Sequence, residues 1–175
     1  MPINELRMSM TKTRRMTAPI NWVPVFLGLS VIWVESTVTM GAANTSRWLL
    51  DICHALWGQT DTASFEMVHA ILRKLGHFSG YGILSVLFYR AWYASVGLFW
   101  KGSRSGLRSE AAGLAVFCTF LVASMDEWHQ SFLEGRTSSF HDVMIDTCGA
   151  LVFTAVVMLL LARRRRGLLE MVESE

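Results

Sequence analysis

Four apolar stretches, each long enough to cross a bilayer as a helix, constrain this chain more than any other feature. They run from Trp22 to Met40, from His77 to Trp100, from Leu107 to Trp128 and from Val143 to Ala162. The apolar core of a bilayer needs about 20 residues of helix. The sequence therefore predicts an all-α fold, a four-helix transmembrane bundle.

The composition agrees with a lipid environment. The chain is 52% hydrophobic and only 17% charged, whereas soluble globular chains carry about 25% charged residues. It also contains 7 Trp, a residue that favours the membrane–water interface. A length of 175 residues is enough for one domain and leaves no room for a separate catalytic module.

The basic residues predict how the bundle is oriented. Of the 16 Lys and Arg, 12 fall before the first stretch, at the end of the second, between the second and third, or after the fourth. The positive-inside rule makes that side cytoplasmic, with both termini inside. We therefore predict a basic cytoplasmic N-terminal segment over residues 1–19, a membrane domain over 20–162 and a cytoplasmic tail over 163–175.

The long connection from Gly41 to Gly76 falls on the opposite, extracytoplasmic side. Apolar residues recur in it near the helical period, first at Ile52 and Leu56 and again at Val68, Leu72 and Leu75. This pattern predicts two short helices that lie along the outer surface.

Acidic residues and histidines concentrate on that outer side too. Nine of the 14 acids and all 5 histidines fall there. Acidic residues contribute little to membrane topology, so the insertion rule does not explain their asymmetry. It needs another cause, and a polar site is one.

Helical spacing predicts that these polar residues face one another. Lys74, His77 and Tyr81 fall on one helical stripe, and Asp126 with Gln130 and Asp142 with Asp146 are pairs four residues apart. An ionised side chain near the end of a span costs a few kcal/mol if it faces lipid, so such groups must face each other or a water-filled cavity. Gly76, Gly80 and Gly82 would let another helix approach this stripe closely.

Interhelical cross-linking is the simpler explanation for polar residues in a bundle, because such contacts are common in membrane proteins. It would account for one or two of them. Ten at one depth favour a functional site, with some members purely structural: Glu35, Lys74, His77, Asp126, Glu127, His129, Gln130, Arg136, Asp142 and Asp146. His54 and His69 fit surface positions better.

Two of these segments resemble the motifs of the VanZ-like membrane proteins. K-x-x-H-F-x-x-Y, which spans Lys74 to Tyr81, resembles the family's second-span motif, and the stretch from Asp126 to Ala150 resembles its second motif. The matching positions in the second motif are Glu127, Gln130, Gly135, Arg136, Ser139, Asp142 and Gly149. The resemblance covers roughly residues 20–162.

The resemblance implies a bacterial inner-membrane protein, from a family whose namesake is associated with low-level resistance to the glycopeptide teicoplanin. That association names a phenotype and brings no reaction with it. The chain departs from the family pattern at two positions, with Asp146 where Asn is common and Glu134 where Pro is common.

The candidate site can be divided by chemistry. Lys74 and Arg136 could hold a phosphate or pyrophosphate, and His77 could act as general base or acid, oriented by Asp142 or Glu127. The predicted catalytic residues are His77, Asp142, Glu127, Asp126 and Asp146. The predicted substrate-binding residues are Lys74, Arg136, Tyr81, Gln130, His129 and Glu35.

Three functions stay open at this point: an enzyme acting on an envelope lipid or lipid-linked cell-wall precursor, a non-catalytic binder of such a lipid, and a proton-coupled carrier. A purely structural membrane protein is the remaining alternative. The carboxylates and histidines also permit a divalent metal, although no tight motif such as H-E-x-x-H occurs. The predicted partners are membrane lipids rather than nucleic acid, and self-association stays open, as does a Cys53–Cys148 bridge.

Overall fold

The computed structural model describes residues 18–58, 61–133 and 138–173, and every regular element in these ranges is helical. Two short 3-10 helices, Pro19–Trp22 and Val38–Met40, accompany the longer elements. The α-helices are α1 (Val23–Glu35), α2 (Ala42–Trp57), α3 (Thr62–Val96), α4 (Arg104–Gln130) and α5 (Phe140–Glu173). The all-α prediction is therefore confirmed.

Two of the described helices are long and apolar enough to cross a membrane, Arg104–Gln130 and Phe140–Arg164. They correspond to the third and fourth predicted spans. The first predicted span overlaps a shorter apolar helical segment, Pro19–Glu35, and extends past its end. The second overlaps α3 from His77 to Val96 and also extends past the helix end, and Arg73, Lys74 and Arg90 add charge to this helix.

Helix α3 is longer than the sequence predicted. It runs without interruption for 35 residues, about 52 Å at the rise of an α-helix. It therefore joins the second predicted surface helix to the second predicted span, because Gly76 at the expected boundary continues the helix. Only α2 is a separate surface helix.

The short connection between α2 and α3 is defined at both ends by local chemistry. Helix α2 ends at Gly58, whose φ of 80° lies in the region that favours glycine. Helix α3 begins after Asp61, whose side chain accepts a hydrogen bond from the Ser64 N–H at 3.0 Å. Hydrogen bonding from Ser64 holds the pKa of the Asp61 carboxyl below its usual value.

Helices α3, α4 and α5 pack together as the core of the molecule, and α1 packs on α3. Helix α4 turns a row of small buried residues to this core at four-residue spacing: Ala111, Ala115, Thr119 and Ala123. Small side chains let helix backbones approach closely in membrane proteins. The next residue in the row is Glu127, which the same periodicity carries into the bundle.

The closest approach joins α3 and α5. A Cβ on Gly149 would overlap the backbone oxygen of Phe78, and one on Gly82 would lie 2.6 Å from the Phe153 ring. Gly76 and Gly80 face open space. The predicted glycine contact therefore holds for Gly82 alone among the three glycines of α3, while Gly149 supplies the tighter one.

The end of the bundle opposite the polar cluster is tied by polar and aromatic contacts. The Trp22 Nε1 donates to Ser95 Oγ at 3.0 Å, and the Arg90 Nε donates to Asn21 Oδ1 at 2.9 Å. These bonds hold the start of the first apolar segment against α3. Beyond them α5 continues as helix through Arg163 and Arg164 to Glu173, and the three cysteines are free thiols.

Candidate functional site

The end of the bundle that carries the polar residues encloses a cavity of about 220 Å³ where α3, α4 and α5 meet. The spacing that placed Lys74 and His77 on one stripe directs both into it. Its charged and polar lining consists of Arg73, Lys74, His77, Glu127, Gln130, Asp142 and Asp146. Ala42, Ala70 and Ile145 complete the wall. Six of the predicted site residues thus come together.

A histidine–carboxylate pair forms the deepest part of this cavity. The His77 Nδ1 lies 3.7 Å from Asp146 Oδ1, which is too long for a hydrogen bond. Asp146 is 0% exposed. Within the described part of the chain, neither oxygen of Asp146 and not the His77 Nδ1 has a hydrogen-bond partner. An ionised carboxylate buried in this way is costly unless something supplies donors.

A salt bridge crosses the opening of the cavity. The Lys74 Nζ lies 2.6 Å from Asp142 Oδ1, and the two side chains are 56% and 26% exposed. Ion pairs as exposed as this one are worth about 0–1 kcal/mol. The pair can therefore exchange partners at little cost when a ligand arrives. We call Arg73, Lys74 and Asp142 the rim, and His77, Glu127 and Asp146 the base.

Asp126 lies outside the cavity wall and organises the residues behind it. Its Oδ2 accepts hydrogen bonds from the Tyr81 hydroxyl and from the Gln130 Nε2, each at 2.9 Å. The Tyr81 ring in turn stacks beside His77, with centroids 6.2 Å apart. Asp126 and Tyr81, both predicted site residues, thus position the His77 ring from behind.

Glu127 joins the end of α4 to the start of α5. Its side chain is 4% exposed, and its Oε2 accepts the backbone N–H of Ser139 at 2.9 Å. One oxygen therefore secures the approach to α5 while the residue also lines the cavity. Ser139 caps the same helix start, since its carbonyl accepts the Asp142 N–H at 2.9 Å.

Two predicted site residues lie elsewhere. The His129 Nδ1 is 3.2 Å from Ser36 Oγ, and its ring stacks on Trp33 with centroids 5.0 Å apart. His129 therefore ties α1 to α4. Glu35 is exposed at the end of α1 and does not line the cavity. Both were expected near the site because they share its depth, but they leave their helices in other directions.

Arg136 lies in residues 134–137, outside the described part of the chain. Arg73 is the lining residue that the sequence analysis missed. It lies four residues before His77 on α3, so the spacing that identified Lys74 applies to it equally.

The carboxylates and the histidine of the cavity are not gathered around one point. Across the described ranges no group of three or more His, Cys, Asp and Glu is arranged to hold a metal ion. The three carboxylates of the lining also face different partners, since Asp142 pairs with Lys74, Glu127 with Ser139, and Asp146 with His77. The cavity wall contains a cation paired with an acid at the rim, and an imidazole beside a buried acid at the base.

The family resemblance of the two motifs is confirmed by comparison with known proteins. A family model described as VanZ/LLP1 matches residues 4–161, so the chain belongs to the VanZ-like family. With two helices able to span a bilayer, it is a membrane protein. No curated protein and no solved structure matches the chain.

Proposed function

Because the chain is a VanZ-like membrane protein, we propose that it binds, and acts on, a phosphate-bearing lipid or lipid-linked precursor at the outer face of the bacterial inner membrane. In this proposal the chain crosses the bilayer four times with both termini in the cytoplasm. The distribution of basic residues supports that orientation.

The depth of the cavity supports a lipid as the ligand. Asp146 and Arg163 are 17 residues apart on α5, about 25 Å at helical rise. With Arg163 at the inner boundary of an apolar core about 30 Å thick, Asp146 lies about 5 Å inside the outer boundary. Asp142, four residues nearer the outer end of α5 and about 6 Å further out, lies at the boundary itself, where lipid headgroups begin, whereas a soluble ligand would have to descend to this level.

The buried pair at the base is the observation that carries the proposal. A carboxylate that only cross-linked helices would have hydrogen-bond donors from them, as Asp126 Oδ2 has from Tyr81 and Gln130. Asp146 is buried without such donors among the described residues, and beside it lies an imidazole that lines the cavity. Buried polar groups held unsatisfied in a cleft are typical of functional sites.

The rim supplies the groups that would hold a phosphate. Arg73 and Lys74 both line the opening, and guanidinium and ammonium groups are the usual phosphate ligands of proteins. The Lys74 ammonium would exchange Asp142 for a phosphate oxygen, which the exposure of that pair permits. The resemblance adds Arg136 to this set.

The base supplies acid–base chemistry for hydrolysis of a phosphate ester. With Nδ1 turned to Asp146, the other ring nitrogen of His77 can take the proton of a water molecule as its oxygen attacks phosphorus. The ester P–O bond breaks, and the imidazolium returns the proton to the departing oxygen. The Asp146 carboxylate stabilises the imidazolium between the two steps. A change in such an envelope lipid would connect the protein to the glycopeptide phenotype associated with the family's namesake.

Native mass spectrometry of the purified protein with its co-purifying lipids tests the binding. We expect a phosphate-bearing lipid on the wild type that is lost from Lys74→Gln and from Arg136→Ala. Lys101→Gln, the same change at an exposed position on the opposite side, is the control and should keep the lipid. Equal retention by all four proteins would contradict the proposal.

Incubation of the reconstituted protein with envelope lipid extract, followed by chromatography and mass spectrometry, separates catalysis from binding. An enzyme releases product in the wild type, and His77→Gln keeps the lipid but releases none. His54→Gln, at an exposed histidine of α2, should behave as the wild type. A wild type that retains lipid and forms no product would reduce the proposal to a binder.

A further inference from the structure

The charges of the cavity are sorted by depth, and the sorting limits what the ligand can be. The cations Arg73 and Lys74 belong to the rim, where Lys74 is 56% exposed and pairs with the one acid of the rim, Asp142. The acids Glu127 and Asp146 belong to the base, at 4% and 0% exposure. On α5 the level of Asp142 is four residues from that of Asp146, about 6 Å along the helix.

The two acids of the base differ in how many hydrogen-bond donors they have. Glu127 accepts the Ser139 N–H, whereas both oxygens of Asp146 are without donors in the described ranges. The neighbouring His77 can offer one N–H from its Nδ1 at most, and at 3.7 Å it does not complete that bond. Asp146 therefore retains acceptor capacity that the described residues do not satisfy.

We infer that the ligand carries a primary ammonium group close to its phosphate, with the ammonium on Asp146 and the phosphate at Arg73 and Lys74. This inference rests on the proposed function and narrows it to a phosphoethanolamine-type headgroup. An ammonium brings three N–H donors and a positive charge to the base, where Asp146 has no donor among the described residues. A linker of two carbons between amine and phosphate suits the short distance from base to rim.

Asp146 then determines specificity in this chain. An asparagine amide at this position would keep an acceptor for His77 while removing the carboxylate. Asp and Asn have nearly the same shape, so Asp146→Asn tests charge with little change in packing. The orientation of His77 and the phosphate contacts at the rim should survive it.

Lipid competition in nanodiscs tests the inference. The full-length protein is reconstituted with equal amounts of phosphatidylethanolamine, phosphatidylglycerol and phosphatidylcholine, released, and examined by native mass spectrometry. We expect phosphatidylethanolamine to exceed each of the others by at least about tenfold on the wild type, the ratio that one net charge-assisted hydrogen bond provides. Asp146→Asn should lower the ratio toward one while total bound phospholipid is kept.

The possible outcomes separate this inference from the proposed function. If phosphatidylglycerol binds as well as phosphatidylethanolamine, or if the preference survives in Asp146→Asn, the ammonium contact is wrong and the phosphate site stands. If phosphatidylcholine binds equally, the site does not recognise the N–H donors of the lipid ammonium, and the inference also fails. If none of the three lipids binds above the level of Lys74→Gln, both proposals fail.

A second measurement needs no variant, in case Asp146→Asn does not fold. Soluble phosphoethanolamine, phosphocholine and glycerol 3-phosphate are added to the wild-type protein loaded with phosphatidylethanolamine. Phosphoethanolamine should displace the lipid at a concentration about tenfold lower than either of the others, by the same reasoning. Equal displacement by all three would overturn the inference.

Discussion

Replacement of Gly149 by alanine should open the bundle at the position that holds the site together. The new Cβ would overlap the backbone oxygen of Phe78 and lie 2.9 Å from its carbonyl carbon. Real Cβ contacts essentially never fall below 3.0 Å. Because the obstacle is backbone, no rotamer change relieves it, and α3 and α5 must separate locally by about 1 Å.

The separation has a cost that can be bounded. Overpacking of a close contact typically destabilises by about 1–3 kcal/mol, while alanine in place of glycine favours the helix by up to about 1 kcal/mol. With the full helix gain subtracted, the net effect should be a loss of about 0–2 kcal/mol against the wild type, and of about 1–3 kcal/mol against an alanine whose Cβ meets nothing. His77 precedes Phe78 directly, and Asp146 lies one turn from Gly149, so the His77–Asp146 distance should also grow from 3.7 Å.

Thermal unfolding in detergent, followed by circular dichroism, measures the stability, and native mass spectrometry of bound lipid measures the site. Gly113→Ala is the matched control, because a Cβ there meets nothing within 4 Å, and it should be neutral or slightly stabilising. Gly82→Ala should fall between the two, since it meets only the Phe153 ring. If Gly149→Ala is as stable as Gly113→Ala, the close approach of α3 and α5 is not real.

Three further outcomes follow from individual contacts. The Ser85 and Thr154 hydroxyls hydrogen-bond at 2.8 Å in the buried core, so Ser85→Ala and Thr154→Val should each cost about 1–2 kcal/mol, and the double variant should cost less than their sum in a double-mutant cycle. Glu127→Leu removes the acceptor of the Ser139 N–H, and hydrogen exchange at Ser139 should accelerate, an unchanged rate arguing against the bond. Trp33→Ala removes the ring on which His129 stacks and should lower the unfolding temperature without loss of bound lipid. Lipid loss in that variant would return His129 to the site.

Much of the site could be predicted because the spacing of residues along a helix determines which side chains share one face of it. Lys74, His77 and Tyr81 were placed on one stripe of α3 by spacing alone, and the structure brings Lys74 and His77 to the cavity with Tyr81 behind them. The partner residues Asp142 and Asp146 followed from the same rule on α5. Asp142 reaches Lys74 and Asp146 faces His77, a pairing that no single-helix rule could supply.

The extent of the fold was less predictable, because the sequence marks the ends of helices weakly. Nothing at Gly76 stops α3, although the apolar content changes there, and the helix continues outward to its cap at Asp61. In a membrane protein an apolar span and a helix need not coincide, since a helix is free to extend past the lipid. The amino-acid composition indicates where the apolar span lies, whereas the capping residues determine where the helix begins and ends.

Depth alone could not distinguish the neighbours Asp126, Glu127 and His129, which lie within one turn of α4. Successive side chains of a helix point about 100° apart. Three such neighbours therefore contact different parts of the bundle although they lie at the same depth. Glu127 enters the core on the row of small residues from Ala111 to Ala123, Asp126 meets Tyr81 on α3, and His129 turns to Ser36 beside α1. The row of small residues can be recognised in the sequence. Its four-residue spacing, continued to the end of the helix, predicts that Glu127 and not its neighbours enters the core. The direction of a helical face, fixed by its smallest residues, is therefore a better guide to a membrane site than the depth of its charges.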